Sequence, residues 1–261
     1  MSNTNPRLAV AQPKMQWSGD ENTSTMLSCI SIASSAGAKA IVFPELAITG
    51  FHRKIASQAK PNLIHSWLNS LQEACARQSI AATFGAPSFG VNGEIFNSQI
   101  FVDANGALIG TIEKNGLTPA EATFFAQGTQ RPTLTFSGVR STAVICREIE
   151  DVELVAAQLE TSKPSIIFWP GLMSPEDGME HIDPPRHVEQ AKGLAKRTGA
   201  YVIQSNWPNA LNYPERSAET GRSAVISPSG TLLFRLPKAT AGVAIFSLLD
   251  SSFTWHPQAD A

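Results

Sequence analysis

Three residues in this chain stand at the ends of apolar runs and could share one piece of chemistry. Glu45 closes "KAIVFPE", Lys114 closes "ALIGTIEK" and Cys146 closes "STAVIC". A thiol at a strand end can act as a nucleophile, because the turn that follows displays it beside backbone N–H groups. A carboxylate whose pKa is lifted by partial burial can take the thiol proton. A lysine can stabilise an oxyanion and the carboxylate beside it, which is an electrostatic role and not a core-building one. Each residue also has an ordinary reading. Cysteine is often a small buried hydrophobe, a strand-end glutamate often caps a helix or faces water, and a lysine at a hairpin end is usually a solvated charge. The stretch "AVICREIED" favours function at position 146, since polarity changes at the cysteine itself. Arg147 behind it would favour a thiolate, and Glu148 would oppose one. Glu121, in "PAEATFF", reads alone as a surface acid or a helix start.

Other chemistries have weaker support. Cys29, Cys75 and Cys146 are scattered, form no C-x-x-C pair and show no zinc spacing. Cys29, in "MLSCISIA", is expected to be buried and inert; Cys75, in "EACARQ", is expected to be partly exposed with an ordinary pKa. His181, Asp183 and His187 in "EHIDPPRH" match no zinc motif, so no metal is expected. The chain has no G-x-S-x-G, G-x-G-x-x-G or P-loop motif, and no cofactor is expected. Its net charge of −2 leaves no electrostatic footprint for nucleic acid. Charged residues make up 16% of the chain, against roughly 25% in an average soluble protein. So sparse a surface is consistent with partial cover by another subunit. No apolar run approaches the ~20 residues of a membrane span, and the start lacks a signal-peptide pattern. A cytoplasmic protein with reduced thiols is expected.

The elements that must position these residues follow from periodicity. Strands are predicted over 7–12, 39–45, 80–87, 141–146, 165–170 and 200–206. Helices are predicted over 21–37, 62–79, 151–161 and 186–199. Two hairpins are predicted, over 94–114 turning at "DANG" and over 222–236 turning at "SPSG". Strand and helix alternate in each half, which predicts an α/β fold with helices against the sheets. Two such halves can stack as a four-layer α-β-β-α sandwich, a single domain over residues 1–261. The stretch 171–187 has no clear period, and long loops of this kind are usually functional or mobile.

The order of these pieces is more specific than any one of them. Strand–Pro–Glu, hairpin–Lys and strand–Cys together resemble the nitrilase, or carbon–nitrogen hydrolase, superfamily over nearly the whole chain. "IVFPELAITGF" resembles its first catalytic motif, "FNSQIFVDANGALIGTIEKNGL" its lysine motif and "STAVICREIEDVE" its cysteine motif. "EATFFAQG", "VIQSN" and "GRSAVISPSGTLL" are similar to later family segments. The chain departs from the usual pattern at Glu113 and Gly116 around the lysine, and at Arg147 and Glu148 after the cysteine.

The resemblance implies that Cys146 attacks an amide-type carbon while Glu45 serves as base. Lys114 and the backbone N–H of Arg147 would hold the oxyanion, and Glu121 would be the second glutamate. Trp169, at the next strand end, reads equally as a wall of the acyl pocket or as an ordinary core tryptophan; Arg147 or Arg186 is a candidate partner for a substrate carboxylate, with Arg186 reading more readily as a solvated charge. The implied substrate is a small linear amide, hydrolysed to an acid and ammonia by a homodimer or higher homo-oligomer. Nitrile or carbamoyl-amide hydrolysis, a non-catalytic binding protein on the same fold and a cysteine redox enzyme are the alternatives.

Overall fold

The computed structural model describes residues 7–175, 178–180, 182–248 and 252–258. The first half runs β1 (Arg7–Gln12), α1 (Gly19–Ser35), β2 (Ala40–Val42), α2 (Ile55–Gln58), α3 (Pro61–Gln78), β3 (Ala81–Phe89), β4 (Ile95–Val102) and β5 (Leu108–Glu113). The second runs β6 (Leu134–Phe136), β7 (Val139–Ala143), α4 (Val152–Leu159), β8 (Ile166–Gly171), α5 (Arg186–Thr198), β9 (Tyr201–Asn206), β10 (Ala224–Ile226), β11 (Leu232–Arg235), β12 (Gly242–Ser247) and β13 (Phe253–Pro257).

Local chemistry sets these boundaries. Pro61 starts α3, where its missing N–H costs nothing, and Ser79 ends it in a left-handed conformation. Between them Ile64, Trp67, Leu71 and Ala74 recur at helical spacing and are buried. The "DANG" turn joins β4 to β5, with Asp103 N–H donating to Ala107 O at 2.8 Å and Gly106 at φ 84°.

The strands form two sheets, one in the order β13-β12-β1-β2-β3-β4-β5 and one in the order β11-β10-β9-β8-β7-β6. Alternation along the first sheet assigns its faces. Leu8, Val10, Ala40, Val42, Phe101 and Ile112 join the core shared with the second sheet. Ala9, Ala11, Ile41, Phe84, Ile100 and Val102 join a second core with Met26 and Ile30 of α1 and Trp67 and Leu71 of α3. Helices α4 and α5 contribute Val155, Leu159, Val188 and Leu194 to the first of these cores. The layers are therefore α-β-β-α, as the sequence predicts.

Two differences bear on the site. The strand predicted over 141–146 ends at Ala143, and Cys146 instead opens a 3-10 turn over Cys146–Glu150. Strands β12 and β13 have no counterpart in the sequence reading. Strand β12 pairs antiparallel with β1, Arg7 opposite Ser247, and so moves β1 from an edge into the sheet interior.

Candidate active site

Glu45 follows the three-residue strand β2. Phe43 N–H still donates to Thr83 O at 2.9 Å, and the chain then turns at Leu46, whose φ is 52°. This turn lies directly on Gly85. A Cβ there would collide with Leu46 N and stand 2.6 Å from Glu45 C, so only glycine fits. Trp207 Nε1 donates to Glu45 O at 2.9 Å and holds the turn from the far side.

Lys114 follows β5 and is held by its own N–H to Asn97 O at 2.8 Å. Its Nζ donates to Glu45 Oε1 at 2.7 Å and to Glu121 Oε1 at 2.6 Å. Glu121 opens a short 3-10 turn, and its Oε2 accepts from Thr118 N–H at 2.9 Å. Asn97 Nδ2 donates to the same two oxygens, at 2.8 Å to Glu45 and 3.2 Å to Glu121. Both Oε1 atoms are therefore engaged, while Glu45 Oε2 is buried without a partner among the described residues.

The side chains of Glu45 and Lys114 are wholly enclosed. The sequence reading gave Lys114 an electrostatic role and no part in the core. The structure corrects that, because removing this ammonium would strand two carboxylates in the interior.

Burial raises the Glu45 pKa, and the Lys114 charge only partly offsets the rise. Burial works against the charge on Lys114, but Glu45, Cys146 and Glu121 together hold its pKa above the ordinary lysine value. Burial would also raise Glu121, yet Lys114 and Thr118 bring it below the usual carboxylate range. The two carboxylates are thus pushed apart, Glu121 toward the ionised form and Glu45 toward the protonated one.

Cys146 is displayed by a strained backbone. Its φ of 52° is uncommon for a residue with a side chain. Gly171 lies behind it, where a Cβ would approach Cys146 Cα to 3.2 Å. Burial and the Glu45 charge raise the thiol pKa, and Lys114 and the Leu172 N–H oppose them. The thiol is protonated at rest. Its Sγ lies 3.5 Å from Met173 Sδ.

A second buried pair ties the cysteine turn to the lysine loop. Glu148 Oε2 accepts from Ile145 N–H at 2.6 Å and from Arg131 Nη1 at 3.0 Å. Glu148 Oε1 accepts from the N–H groups of Asn115 at 2.5 Å and Gly116 at 2.9 Å. Arg131 also donates to Ala143 O at 2.5 Å. The charge that the sequence reading set against a thiolate is thus paired with an arginine.

The remaining expectations fall as follows. Trp169 is enclosed, with Nε1 donating to Cys146 O at 3.0 Å and its ring against His187, so it contacts the backbone of the cysteine turn. Arg147 is half-buried and reaches Asp151 at 3.4 Å. Cys75 is fully buried with its pKa pushed up to about 12, which corrects the partial exposure and ordinary pKa expected for it. Cys29 is buried, as expected. Asp183 pairs with Arg235, and His187 packs on Trp169; His181 lies outside the described residues.

The sequence reading missed Asn97, Arg131 and Met173. Asn97, Ser98 and Gln99 are three polar residues in a row within the otherwise apolar "IFNSQIFV", a signal for buried polar work. Nothing local marks Arg131, which acts across 17 residues of chain.

A family model described as carbon-nitrogen hydrolase matches residues 7–251. An (R)-stereoselective amidase from a Pseudomonas species is 27% identical over 206 residues, covering 78% of this chain and 71% of that protein. A glutamine-dependent NAD(+) synthetase of Acinetobacter baylyi is 22% identical over 223 residues; the match covers 84% of this chain and 39% of that longer protein. Among solved structures, a cysteine-to-alanine mutant of a Nesterenkonia amidase from the nitrilase superfamily superposes with a TM-score of 0.79 at 19% identity, covering 96% of this chain and 93% of that one.

Proposed function

The chain belongs to the carbon–nitrogen hydrolase family, and from that premise we propose that it hydrolyses a small linear amide to a carboxylic acid and ammonia through a thioester on Cys146. Glu45 Oε2 takes the thiol proton as Sγ bonds to the carbonyl carbon. Lys114 Nζ and the Arg147 backbone N–H stabilise the oxyanion. Glu45 then gives its proton to the departing nitrogen, and ammonia leaves as the carbonyl reforms. Water enters, loses a proton to Glu45 and attacks the thioester. The carboxylic acid leaves and the thiolate recovers its proton. Glu121 keeps Lys114 oriented, and the Trp169 N–H steadies the cysteine turn.

One observation carries this reading: the unpartnered Glu45 Oε2 in a cluster whose other carboxylate oxygens are all engaged. The Nesterenkonia amidase is recorded in complexes with acrylamide and butyramide, and with the acetamide moiety of fluoroacetamide on its active-site cysteine. Those ligands make amides preferable to nitriles as first substrates here. The same reading takes the chain as one self-associating domain working in the cytoplasm; no helix among the described residues is long and apolar enough to cross a membrane. The test is ammonia and acid release in equal amounts from simple amides, lost in Cys146→Ser. A wild-type protein that binds amides without releasing ammonia would leave the non-catalytic alternative.

A further inference from the structure

A cavity of about 330 Å³ opens beside Met173, the residue whose sulfur touches Cys146 Sγ. Its walls are Met173, Pro175, Met179, Ile182, Pro184 and Pro185. Met179 and Ile182 are 44% and 41% exposed, large apolar side chains left open to solvent on a loop. Its rim carries Glu150, Arg186 and Glu189, a formal sum of one negative charge, so it offers no net cation to a carboxylate. His187 also faces the cavity and is held neutral, burial and Arg235 lowering its pKa to about 4.

Met173 separates this space from the reacting sulfur. Its backbone is fixed, with its N–H donating to Asn206 Oδ1 and its carbonyl accepting from Asn206 Nδ2, both at 2.8 Å. Its side chain, an unbranched thioether with three rotatable bonds, is the part of the residue that can adopt another rotamer. A carbonyl carbon bonded to Cys146 Sγ would put its acyl chain where Met173 Sδ now lies. Movement of that one side chain would open this cavity toward Cys146 Sγ.

We propose that this cavity receives the acyl chain of the substrate, with Met173 as its gate, and that the preferred substrates are amides of uncharged aliphatic acids of about four to six carbons. The inference rests on the amidase reading above. Apolar burial of each added methylene is worth about a three- to fourfold gain in transition-state binding.

The experiment measures kcat/KM for acetamide, butyramide, hexanamide and the monoamide of glutaric acid, in the wild type, Met173→Ala and Ile182→Asp. In parallel, calorimetry follows hexanamide and acetamide binding to Cys146→Ser with and without Ile182→Asp. The expected result is a rise of tenfold or more from acetamide to hexanamide in the wild type, with the carboxylate-bearing amide poorer than butyramide. Ile182→Asp should lower the hexanamide-to-acetamide ratio about tenfold, and Met173→Ala should raise it. Turnover that is flat with chain length, or best for the carboxylate-bearing amide, overturns the cavity assignment and leaves the amidase reading intact. No turnover of any amide, with hexanamide still bound in an Ile182-dependent way, overturns the amidase reading and keeps the binding site. No turnover and no such binding overturns both.

Discussion

In the proposed reaction Glu45 must be ionised before it can accept the thiol proton, and its pKa lies above the usual carboxylate value because it is buried. The protonated, inactive form therefore persists to higher pH than for an exposed glutamate. The acid limb of kcat/KM should accordingly lie above the ordinary carboxylate range, activity falling as pH drops through it. Glu45→Gln should lower kcat about a hundredfold or more and abolish that limb; a folded variant with wild-type rates would remove Glu45 from the mechanism. Thiol reactivity gives an independent check. Burial raises all three thiols, but only Cys146 has Glu45 and Lys114 close enough to act on its charge. Limiting iodoacetamide, itself a small amide, should modify Cys146 first, with activity lost in proportion; peptide mapping by mass spectrometry reads the order. Glu45, Lys114 and Cys146 were legible through their order, strand–Pro–Glu, hairpin–Lys and strand–Cys, since each alone has an ordinary reading. The depth of Lys114 was not, since a lysine looks the same in sequence whether its carboxylate partners are near or absent.

The element that matters most is the turn after β7, which the Arg131–Glu148 pair anchors. One Glu148 carboxylate spans the N–H groups of Ile145, Asn115 and Gly116, so the Cys146 turn and the Lys114 loop are tied to one anchor. Arg131→Met leaves that carboxylate buried without its cation and should cost about 3–5 kcal/mol in urea unfolding. Glu148→Gln should lower kcat more than it raises KM, as the two loops lose their shared anchor; unchanged kinetics would make the pair purely structural. Periodicity located most of the helices, because α3 and α5 bury residues at helical spacing, while β1 was found as a continuous apolar run. It failed at Cys146, where a left-handed residue interrupts an apolar run. It also passed over β12, whose pairing with β1 depends on contacts more than 200 residues apart.

At the scale of the molecule, the two sheets are joined by aromatic side chains. Phe101 of one sheet meets Phe136 and Phe168 of the other, with ring centroids 5.3 and 6.0 Å apart. Phe168→Ala should cost about 3–5 kcal/mol of stability, read as a lowered denaturant midpoint. The four-layer order was readable from alternating strand and helix, but which strands cross from one half to the other was not. Sedimentation equilibrium should find a dimer or larger assembly; a monomer at micromolar concentration would end the self-association proposal.

Peroxide attacks thiolates far faster than thiols. A nucleophile that burial and a neighbouring carboxylate keep protonated is therefore a slow target for oxidation to the sulfenic acid. Met173, 3.5 Å from that sulfur, places a second oxidisable group beside it, and methionine sulfoxide is enzymatically reversible. Under the proposed reaction, the same proton that Glu45 removes to start turnover leaves the idle thiol a poorer target for peroxide than a thiolate would be.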